Sequence, residues 1–567
     1  MKIFLIGLFF LSSTLFASDS LTGKRVKPTN PDKEVNAEII HSAFLIHLQN
    51  ITKENIENLP VQHRGRIKPF DTFARESNLY LMGSSSKWGQ KATQIYLGLL
   101  TFPKASYLEF IEVRDLDVRV KLGYEKKKRF FSVAQLKFAD LNELASPALA
   151  QEKKNKHELS DLQKGLIEVA QQFWLAQGII GGSQLFEAII YKDKGKVITS
   201  NTSIITTPLQ NYLRSLSPEQ PQAVASQWSS QLIQAVSAQA NTKTLHRQIE
   251  NIDLEVTYNK AHLFMIVGIL YLLLAIAIFL PYSRQYLSST KTYFLLSLPI
   301  LIHTIGFIIR IFITEFPPVT NMYGTMLWVS YGISVMSILF YYLYKDLNLL
   351  SIFLVGAALI IFITEFFPLI LGPGMDPIVA VLRSSYWLTI HVLTITLSYA
   401  AFSLSLLLGN IALVKYIIHP HIPETDKFYK NYGHYAYRSI QLGVFLITAG
   451  IILGGIWADY SWGRFWGWDP KETWALIADL GYLLILHSRI SGWLGPFGLL
   501  AMSTVAYLLV IMAWYGVNFI LAAGLHSYGF SSGGAQIVFT FVGGQLILLS
   551  IVGVIYLIRK NKLKINR

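Results

Sequence analysis

The sequence contains no cysteine, so the chain can form no disulfide, no thiolate metal site and no thiol relay of its own. Charged residues are also scarce, at 15% of 567 residues, whereas 52% of the residues are hydrophobic. This balance is too apolar for an ordinary soluble protein and indicates a membrane protein. The formal net charge of +14 does not indicate nucleic acid binding, because many basic residues lie in short loops between apolar runs.

The amino-terminal segment, residues 1–17, reads MKIFLIGLFFLSSTLFA, a basic residue followed by a short apolar run and then small and polar residues. This order is typical of a secretory signal peptide, and an uncleaved anchor is the alternative. Residues 18–260 contain no run long enough to span a membrane, so we expect them to form an extracytoplasmic domain. Helical patterns near 159–175 and 221–250 and short apolar alternations between 107 and 133 predict an α+β fold for it.

From residue 261 onward the sequence is dominated by apolar runs, and nine of them have about the length that a bilayer requires. The expected fold class is therefore mainly α, a polytopic helical membrane bundle of about nine spans in residues 261–567 that follows the extracytoplasmic domain. The predicted spans are 261–280, 293–314, 322–343, 349–371, 385–417, 438–457, 473–490, 496–522 and 535–558.

The basic residues of this region predict its orientation. If residues 18–260 lie outside, the inner connections and the tail carry most of the lysines and arginines, and the outer connections carry only Arg383, Arg464 and Lys471. This distribution follows the positive-inside rule and agrees with the signal-like segment. We therefore expect a multi-pass protein of a bacterial cytoplasmic membrane, with the loop 458–472 on the outer side.

The most informative stretch is 457–474, WADYSWGRFWGWDPKETW, which holds five tryptophans between the sixth and seventh predicted spans. An ordinary interfacial belt would scatter aromatic rings over many helix ends. A flat aromatic platform suits a large planar apolar ligand with a polar edge, such as haem. Arg464, Lys471 and Arg383 are candidate partners for the haem carboxylates, and snorkelling or contact with lipid phosphate is the alternative for each.

The run WGRFWGWDPKETWA resembles the tryptophan-rich WWD signature of the haem-handling family that includes the cytochrome c biogenesis protein CcsA, also called ResC, and the related CcmC and CcmF. Similarity to the CcsA branch extends to HTIGFIIRIFITEFPPVTNMYGT from His303, SSYWLTIHVLTITLSYAAF around His391, LLILHSR at His487 and GLHSYGF at His526. The segment LPVQHRGRIKPFDTFARES from Leu59 resembles the extracytoplasmic domain of fused CcsB-CcsA proteins.

The resemblance implies a set of haem-binding residues. The signature residues expected to bind haem are Trp462, Trp466, Trp468, Trp474 and Asp469. His391 and His526 would be the external ligands of the iron and, together with Asp469, the catalytic residues. The positions agree, because His391 and His526 lie at the predicted outer ends of the fifth and eighth spans and imidazole is a common axial ligand. A pair of interfacial histidines that bond to backbone is the alternative.

The histidines inside the spans differ from this pair. His487 follows Trp474 by thirteen residues, about 20 Å of helix, which places it towards the inner leaflet. The resemblance makes His487 a membrane-embedded haem ligand opposite a ligand from CcsB, and a buried structural histidine is the alternative. His303 either completes that site within this chain or packs against a neighbouring helix, and we favour packing. Arg310 shares its helical face and is expected to snorkel to the outer interface.

Two departures from the family pattern stand out. Fused members carry an additional amino-terminal CcsB region with its own spans, whereas this chain has a signal-like segment, so we expect the CcsB function to reside in another polypeptide. Gly324 and Thr325 stand where relatives commonly show Glu-Ser.

The implied function is cytochrome c maturation, as a component of a cytochrome c synthase or haem lyase that carries haem b as ligand and substrate. The expected partners are a CcsB/ResB-like membrane protein, apocytochrome c with its Cys-X-X-Cys-His motif, membrane lipid and a separate thiol-disulfide reductant protein, since this chain has no cysteine. The alternatives are a haem exporter or chaperone without ligation activity and a bis-histidine membrane electron-transfer protein.

Overall fold

The computed structural model describes residues 36–51, 56–154, 159–193, 196–198, 202–217, 219–377, 385–419, 426–521 and 535–565. The signal-like segment lies outside these residues. Contacts divide the chain into two compact units, residues 1–43 with 106–174, and residues 44–105 with 175–567. The division into an 18–260 domain and a 261–567 domain stays a prediction.

The described part of the polar region is mostly helical, with three small two-stranded sheets, all antiparallel. The strands Ile111–Glu112 and Phe130–Phe131 pair within the stretch 107–133 that the sequence predicted to be extended. The elements are α1 (Ala37–Asn50), β1 (Pro60–His63), β2 (Arg66–Pro69), α2 (Phe70–Met82), α3 (Ala92–Thr101), β3 (Ile111–Glu112), α4 (Leu116–Lys121), β4 (Phe130–Phe131), α5 (Val133–Phe138), α6 (Leu141–Lys154), α7 (Asp161–Ile180), α8 (Ser183–Ile189), β5 (Lys192–Asp193), β6 (Lys196–Val197), α9 (Ser203–Ser215), α10 (Gln222–Ser237), α11 (Lys243–Glu250) and α12 (Ile252–Ala261).

The carboxy-terminal region is a helical bundle, and its hydrophobic core runs through all of the long helices. A π-helical segment, Met512–Leu521, directly continues α22. The helices are α13 (Leu263–Phe279), α14 (Pro281–Arg284), α15 (Ser289–Thr314), α16 (Met322–Tyr344), α17 (Leu347–Phe366), α18 (Pro368–Leu371), α19 (Ser385–Ile418), α20 (Lys427–Trp462), α21 (Pro470–Ile490), α22 (Pro496–Ile511) and α23 (Ala535–Ile565).

Eight of the described helices are long and apolar enough to cross a membrane, so the chain is a multi-pass membrane protein. They correspond to eight of the nine predicted spans. The remaining predicted span is the seventh, 473–490, which forms α21. Its hydropathy is lower than that of the other eight because it contains Asp479, His487 and Arg489. Because α21 packs against α20 and α22, it is nevertheless part of the bundle.

Helix α19 packs closely against α22 at Gly409. A Cβ atom on Gly409 would lie 2.6 Å from the carbonyl oxygen of Leu500 and 2.6 Å from the Thr504 hydroxyl oxygen. Nearby, the Ser503 hydroxyl donates to the carbonyl oxygen of Ser405 across the same pair of helices at 3.1 Å. Small residues and hydroxyl bonds of this kind hold membrane helices together, since lipid and helix surfaces are equally apolar.

We expect the Gly409→Ala substitution to lower the melting temperature of the detergent-solubilised chain, with a loss of about 1–3 kcal/mol, because the facing carbonyl oxygen of Leu500 belongs to the backbone and cannot rotate away. Gly553→Ala is the matched control: Gly553 lies on α23, with no atom of the described residues within 4 Å of an added Cβ. This control should unfold at the unchanged temperature or slightly higher, since alanine favours helix. Equal melting curves for the two variants would contradict the close packing.

Arg310 does not snorkel, so that prediction is wrong. Its side chain is buried, and Nη1 donates to the hydroxyl oxygen of Tyr258 at 3.1 Å while the guanidinium lies 5.2 Å from the ring centre of Tyr323. The Tyr323 hydroxyl in turn donates to Glu365 at 2.7 Å. The bundle therefore surrounds this cation with aromatic rings and a carboxylate, which removes the need to reach water.

Candidate functional site

A cavity of about 560 Å³ opens at the end of the bundle that carries the tryptophan-rich loop. This volume lies within the range of about 300–1,000 Å³ that is typical of pockets for drug-sized ligands and cofactors. Its walls come from α16, α19, α20, α21 and the π-helical segment, together with the connection 372–377 and the tip of the β1–β2 hairpin. Elements more than three hundred residues apart therefore meet around one space.

His391 lies on α19 in the wall of this cavity. Its Nδ1 is 2.7 Å from the carbonyl oxygen of Gly450, and because a carbonyl only accepts hydrogen bonds, Nδ1 must carry the proton. Nε2 is then the nitrogen with a lone pair, as an iron ligand requires. A Cβ atom on Gly454 would lie 2.6 Å from the Cε1 atom of His391. A larger residue at position 454 would therefore collide with the imidazole ring.

The tryptophan-rich loop is shorter than the sequence predicted. Helix α20 continues through Trp462 and α21 begins at Pro470, which leaves residues 463–469 as the connection. In the part of the helix that extends beyond the apolar run, Trp457 and Trp462 pack together, with ring centres 4.6 Å apart and planes at 67°. Trp457 is buried and lines the cavity.

The remaining rings do not form the flat platform that we expected. Trp466 lines the cavity, and the plane of Trp468 stands at 90° to it, with ring centres 5.8 Å apart. Trp468 is 71% exposed and has a φ of 55°, a backbone conformation that bulky residues rarely adopt. The tight turn before α21 imposes this conformation, so the loop presents one ring to the cavity and another to its surroundings.

Asp469 and Glu472 hold the turn together. The Asp469 carboxylate accepts a hydrogen bond from the backbone nitrogen of Lys471 at 3.0 Å, and Glu472 accepts from the backbone nitrogens of Asp469 at 3.2 Å and Gly467 at 2.9 Å. This reciprocal arrangement is a capping box, with Pro470 at the first helical position. Arg464 lies 3.7 Å from Glu472, so its charge is directed to the loop.

Lys471 is the cation of the cavity wall nearest to the loop. Its Nζ donates to the side-chain oxygen of Asn518 at 3.2 Å, and Asn518 donates to the carbonyl oxygen of Trp514 at 2.9 Å. Burial lowers the pKa of the Lys471 ammonium to about 8, and the negative charge of Asp469 opposes this shift. A poorly solvated ammonium beside an open cavity is suited to bind a carboxylate.

The connection 372–377 forms the rim of the cavity and is fixed from two sides. Asn321, ahead of α16, donates to the carbonyl oxygens of Gly372 and Gly374, both at 2.8 Å. On the other side Lys68, from strand β2, donates to Asp376 at 2.9 Å and to Glu76 at 2.8 Å. The rim is therefore tied to the bundle and to the hairpin.

The charge of Glu76 is stabilised by its neighbours. Burial alone would raise the pKa of this carboxyl, but the charge of Lys68 and the proximity of His63, whose Nδ1 lies 3.7 Å from the carboxylate, lower it to about 2. The stabilisation that Glu76 contributes is therefore present at neutral pH and is lost as the pH falls from about 4.5, its ordinary value, towards 2.

Comparison with known proteins identifies the family. Residues 319–526 match the model of the Cytochrome C assembly protein family. The cytochrome c biogenesis protein CcsA of Prochlorococcus marinus (strain MIT 9312) is 33% identical over 286 residues, which cover 45% of this chain and 91% of that protein. The chain belongs to the CcsA family of cytochrome c assembly proteins. The function of this family member is therefore in cytochrome c biogenesis.

Two further relatives show how far the similarity extends. CcsA of Chlamydomonas reinhardtii is 39% identical over 157 residues, 27% of this chain and 44% of that protein. Protein NrfI of Wolinella succinogenes is 28% identical over 520 residues, or 85% of this chain. The aligned part makes up 55% of NrfI, so the chain spans about half the length of this relative.

The cavity collects only part of the residues predicted as the haem site of this CcsA family member. His391, Trp466 and Lys471 line it, whereas Trp462, Trp468 and Trp474 are not among its lining residues, and Asp469 and Arg464 are engaged within the loop. His526 and Arg383 lie outside the described residues. The roles of all these residues in binding and catalysis stay predictions.

The two membrane histidines lie in different surroundings. His487 is exposed on α21, with Nδ1 2.8 Å from the carbonyl oxygen of Leu483. His303 is fully buried on α15, its ring 5.1 Å from both Phe307 and Tyr331, and its Nδ1 3.4 Å from the hydroxyl oxygen of Tyr271. These surroundings favour a packing role for His303 over an iron site shared with His487.

Several residues that line the cavity were not predicted from the sequence. Trp514, Asn518 and Phe519 of the π-helical segment all face the cavity, and so does Met322 at the start of α16. Asn518 carried a usable signal, since a polar amide inside a predicted span is expensive and therefore suspect. The π-helix itself carried none, because its wider turn is invisible to helical periodicity.

Gly324, one of the departures from the family pattern, has a local explanation. A Cβ atom there would collide with the carbonyl oxygen of Pro318, and the backbone nitrogen of Gly324 donates to the Asn321 side chain at 2.8 Å. The turn into α16 thus accepts no side chain at this position. Thr325 follows in the cavity wall and donates to the carbonyl oxygen of Asn321 at 3.0 Å.

Proposed function

We propose that this protein receives haem in a bacterial cytoplasmic membrane, presents it on the outer side in the cavity beside the tryptophan-rich loop, and supports its covalent attachment to apocytochrome c. The observation that carries the proposal is His391, whose ring is fixed in the wall of a cavity of about 560 Å³ with Nε2 as the lone-pair nitrogen. Imidazoles held in this way by a backbone carbonyl are oriented for metal binding.

The rest of the cavity suits a porphyrin. Trp466 and Phe519 offer aromatic surface for the apolar ring system, and Lys471 with Asn518 offers a cation and an amide for its carboxylates. His391 would bind the iron from one side. His526, which lies outside the described residues, remains the expected ligand from the other side.

Ligation then requires positioning more than chemical activation. Each thiol of the Cys-X-X-Cys-His motif adds across one haem vinyl group, so that sulfur bonds to one vinyl carbon and hydrogen to the other, with no net oxidation or reduction. Holding both vinyl groups beside both thiols at near-attack distance supplies most of the rate. The thiols must arrive reduced, and since this chain has no cysteine, a separate thiol-disulfide protein has to reduce them.

The inner haem site is proposed to form between this chain and a CcsB-like membrane protein. His487 supports this because its ring is exposed on α21, and its Nδ1 bonds to the carbonyl oxygen of Leu483, which makes Nε2 the lone-pair nitrogen. A haem held there needs a second ligand from outside the chain. Haem would pass from this site to the outer cavity before ligation.

Co-expression tests the proposal. The full chain is expressed with a CcsB-like protein and a reporter apocytochrome c in a host without its own cytochrome c maturation system, and covalent haem is scored on the denatured reporter. We expect covalent cytochrome only when both membrane proteins are present. Haem delivery to the outer side without thioether formation would instead support an exporter, and stoichiometric haem that never exchanges would support an electron-transfer protein.

A further inference from the structure

We propose that Arg64, at the tip of the β1–β2 hairpin, is a second cationic partner for a carboxylate of the ligand in the cavity, and that it reaches this carboxylate by leaving Asp376. The proposal rests on the proposed function, because it takes the ligand to be a porphyrin with two carboxylates. It assigns a binding role to the segment around residue 64, which precedes the membrane helices by some two hundred residues in the printed sequence.

Arg64 lies in a tight two-residue turn with an unusual backbone conformation. His63 pairs with Arg66 in the hairpin register, and the two residues between them have φ values of 49° for Arg64 and 85° for Gly65. Such two-residue turns favour asparagine, aspartate or glycine at both positions. An arginine in the left-handed conformation lowers the stability of the fold by on the order of 1 kcal/mol. Other interactions of the folded protein must therefore offset this free energy.

The turn tip lies at the cavity rim. Arg64 is among the residues that line the cavity, together with Asp376 and Pro377 of the connection 372–377. A Cβ atom on Gly65 would lie 3.7 Å from the Cγ atom of Pro377, which is ordinary contact. The hairpin therefore touches the rim through its tip and presents the Arg64 side chain on the cavity side.

The ion pair that now holds Arg64 is weak. Nη1 lies 3.3 Å from Asp376 Oδ2, and the side chains are 63% and 31% exposed. Exposed pairs of this kind contribute less than about 1 kcal/mol. The neighbouring Arg66 differs, because both its terminal nitrogens bond to Glu255 at 2.7 Å in a buried pair.

Release of Arg64 leaves no carboxylate unpaired. The fully buried ammonium of Lys68 donates to Asp376 at 2.9 Å and to Glu76 at 2.8 Å, so Asp376 keeps a partner when Arg64 departs. Lys68 carries one positive charge against these two carboxylates, so the departure of Arg64 leaves the rim with one net negative charge, but each carboxylate keeps a hydrogen bond from Lys68. A ligand carboxylate that covers the rim, and so removes water from the Arg64 guanidinium, would form a stronger, charge-assisted bond than the exposed Asp376 pair.

Binding of two related porphyrins tests the inference. The full-length chain in lipid nanodiscs is titrated with haemin and with haemin dimethyl ester, which has the same ring and iron but no carboxylate charge, and the Soret absorbance gives the dissociation constants. We expect Arg64→Gln to weaken haemin binding about tenfold, as for loss of one charge-assisted hydrogen bond, and to leave ester binding unchanged. Asp376→Asn removes the competing partner and should tighten haemin binding, by up to about fivefold.

Arg247→Gln is the matched control. Arg247 forms an equally exposed pair with Glu315 at 3.2 Å and does not line the cavity, so its loss should change neither constant. If Arg64→Gln weakened haemin and its ester alike, or weakened neither, the inference would be overturned while haem binding stood. If the unaltered chain bound neither porphyrin, the proposed function would fail first.

Discussion

Replacement of His391 by glycine is expected to reduce covalent cytochrome c formation to background and to abolish the Soret absorbance of haem bound in the outer cavity. The reason is that His391 supplies the one described imidazole of the cavity wall, held with Nε2 as the lone-pair nitrogen by the carbonyl of Gly450. Loss of an axial ligand removes the strongest single bond between protein and haem. Purified variants expressed with the CcsB-like protein and the reporter give both readouts.

Imidazole rescue separates loss of the ligand from loss of the fold. Glycine leaves a space of the size of the missing ring, so added imidazole should restore part of the Soret absorbance. His434→Gly is the control. His434 lies near the start of α20, at the end of this helix away from the cavity, and its Nε2 is 3.4 Å from the hydroxyl oxygen of Tyr344. Normal maturation by the His391 variant without imidazole would show that this ring is not an iron ligand.

The helical bundle could be predicted from the sequence because lipid imposes a simple requirement, a run of apolar residues of fixed length. Eight of the nine predicted runs meet that requirement as helices. The loop before α21 was harder to delimit, since helix α20 continues for a turn beyond its apolar run. The capping box of Asp469 and Glu472 was readable, as Asp-Pro-Lys-Glu is a helix-start pattern.

Other parts of the candidate site could not be predicted, for two physical reasons. Asn518 could be suspected as a polar amide in a predicted span, but it lies in a π-helical segment, and neither composition nor periodicity indicates such a turn or the residues that it directs to the cavity. Arg64 reaches the cavity through the pairing of Lys68 with Asp376, residues 308 positions apart, and long-range ion pairs leave no local pattern. Resemblance identified His391, but only the backbone bond to Gly450 explains its orientation.

Replacement of Arg66 by methionine is expected to destabilise the unit formed by residues 44–105 and 175–567 by about 3–5 kcal/mol, because it leaves the buried carboxylate of Glu255 without a counter-charge. Both oxygens of Glu255 now accept from Arg66 at 2.7 Å. After the substitution the Thr72 hydroxyl, at 2.7 Å, would be its remaining hydrogen-bond partner among the described residues. Thermal unfolding of the solubilised full chain measures the loss. The exposed pair of Arg247 with Glu315 offers a control, since Arg247→Met should cost less than about 1 kcal/mol.

The double variant Arg66→Met with Glu255→Leu tests whether the two residues stabilise the fold as one ion pair. With both charges removed, neither side chain is left as a buried charge without a partner, so the double variant should recover most of the stability that the single variant loses. Glu255 lies on α12, which leads directly into the first membrane helix, so this pair fixes the hairpin to the bundle. We therefore expect the double variant to be stable yet to bind haemin more weakly, because Arg64 loses its fixed place at the rim. Additive losses in the double variant would show that Arg66 and Glu255 act separately.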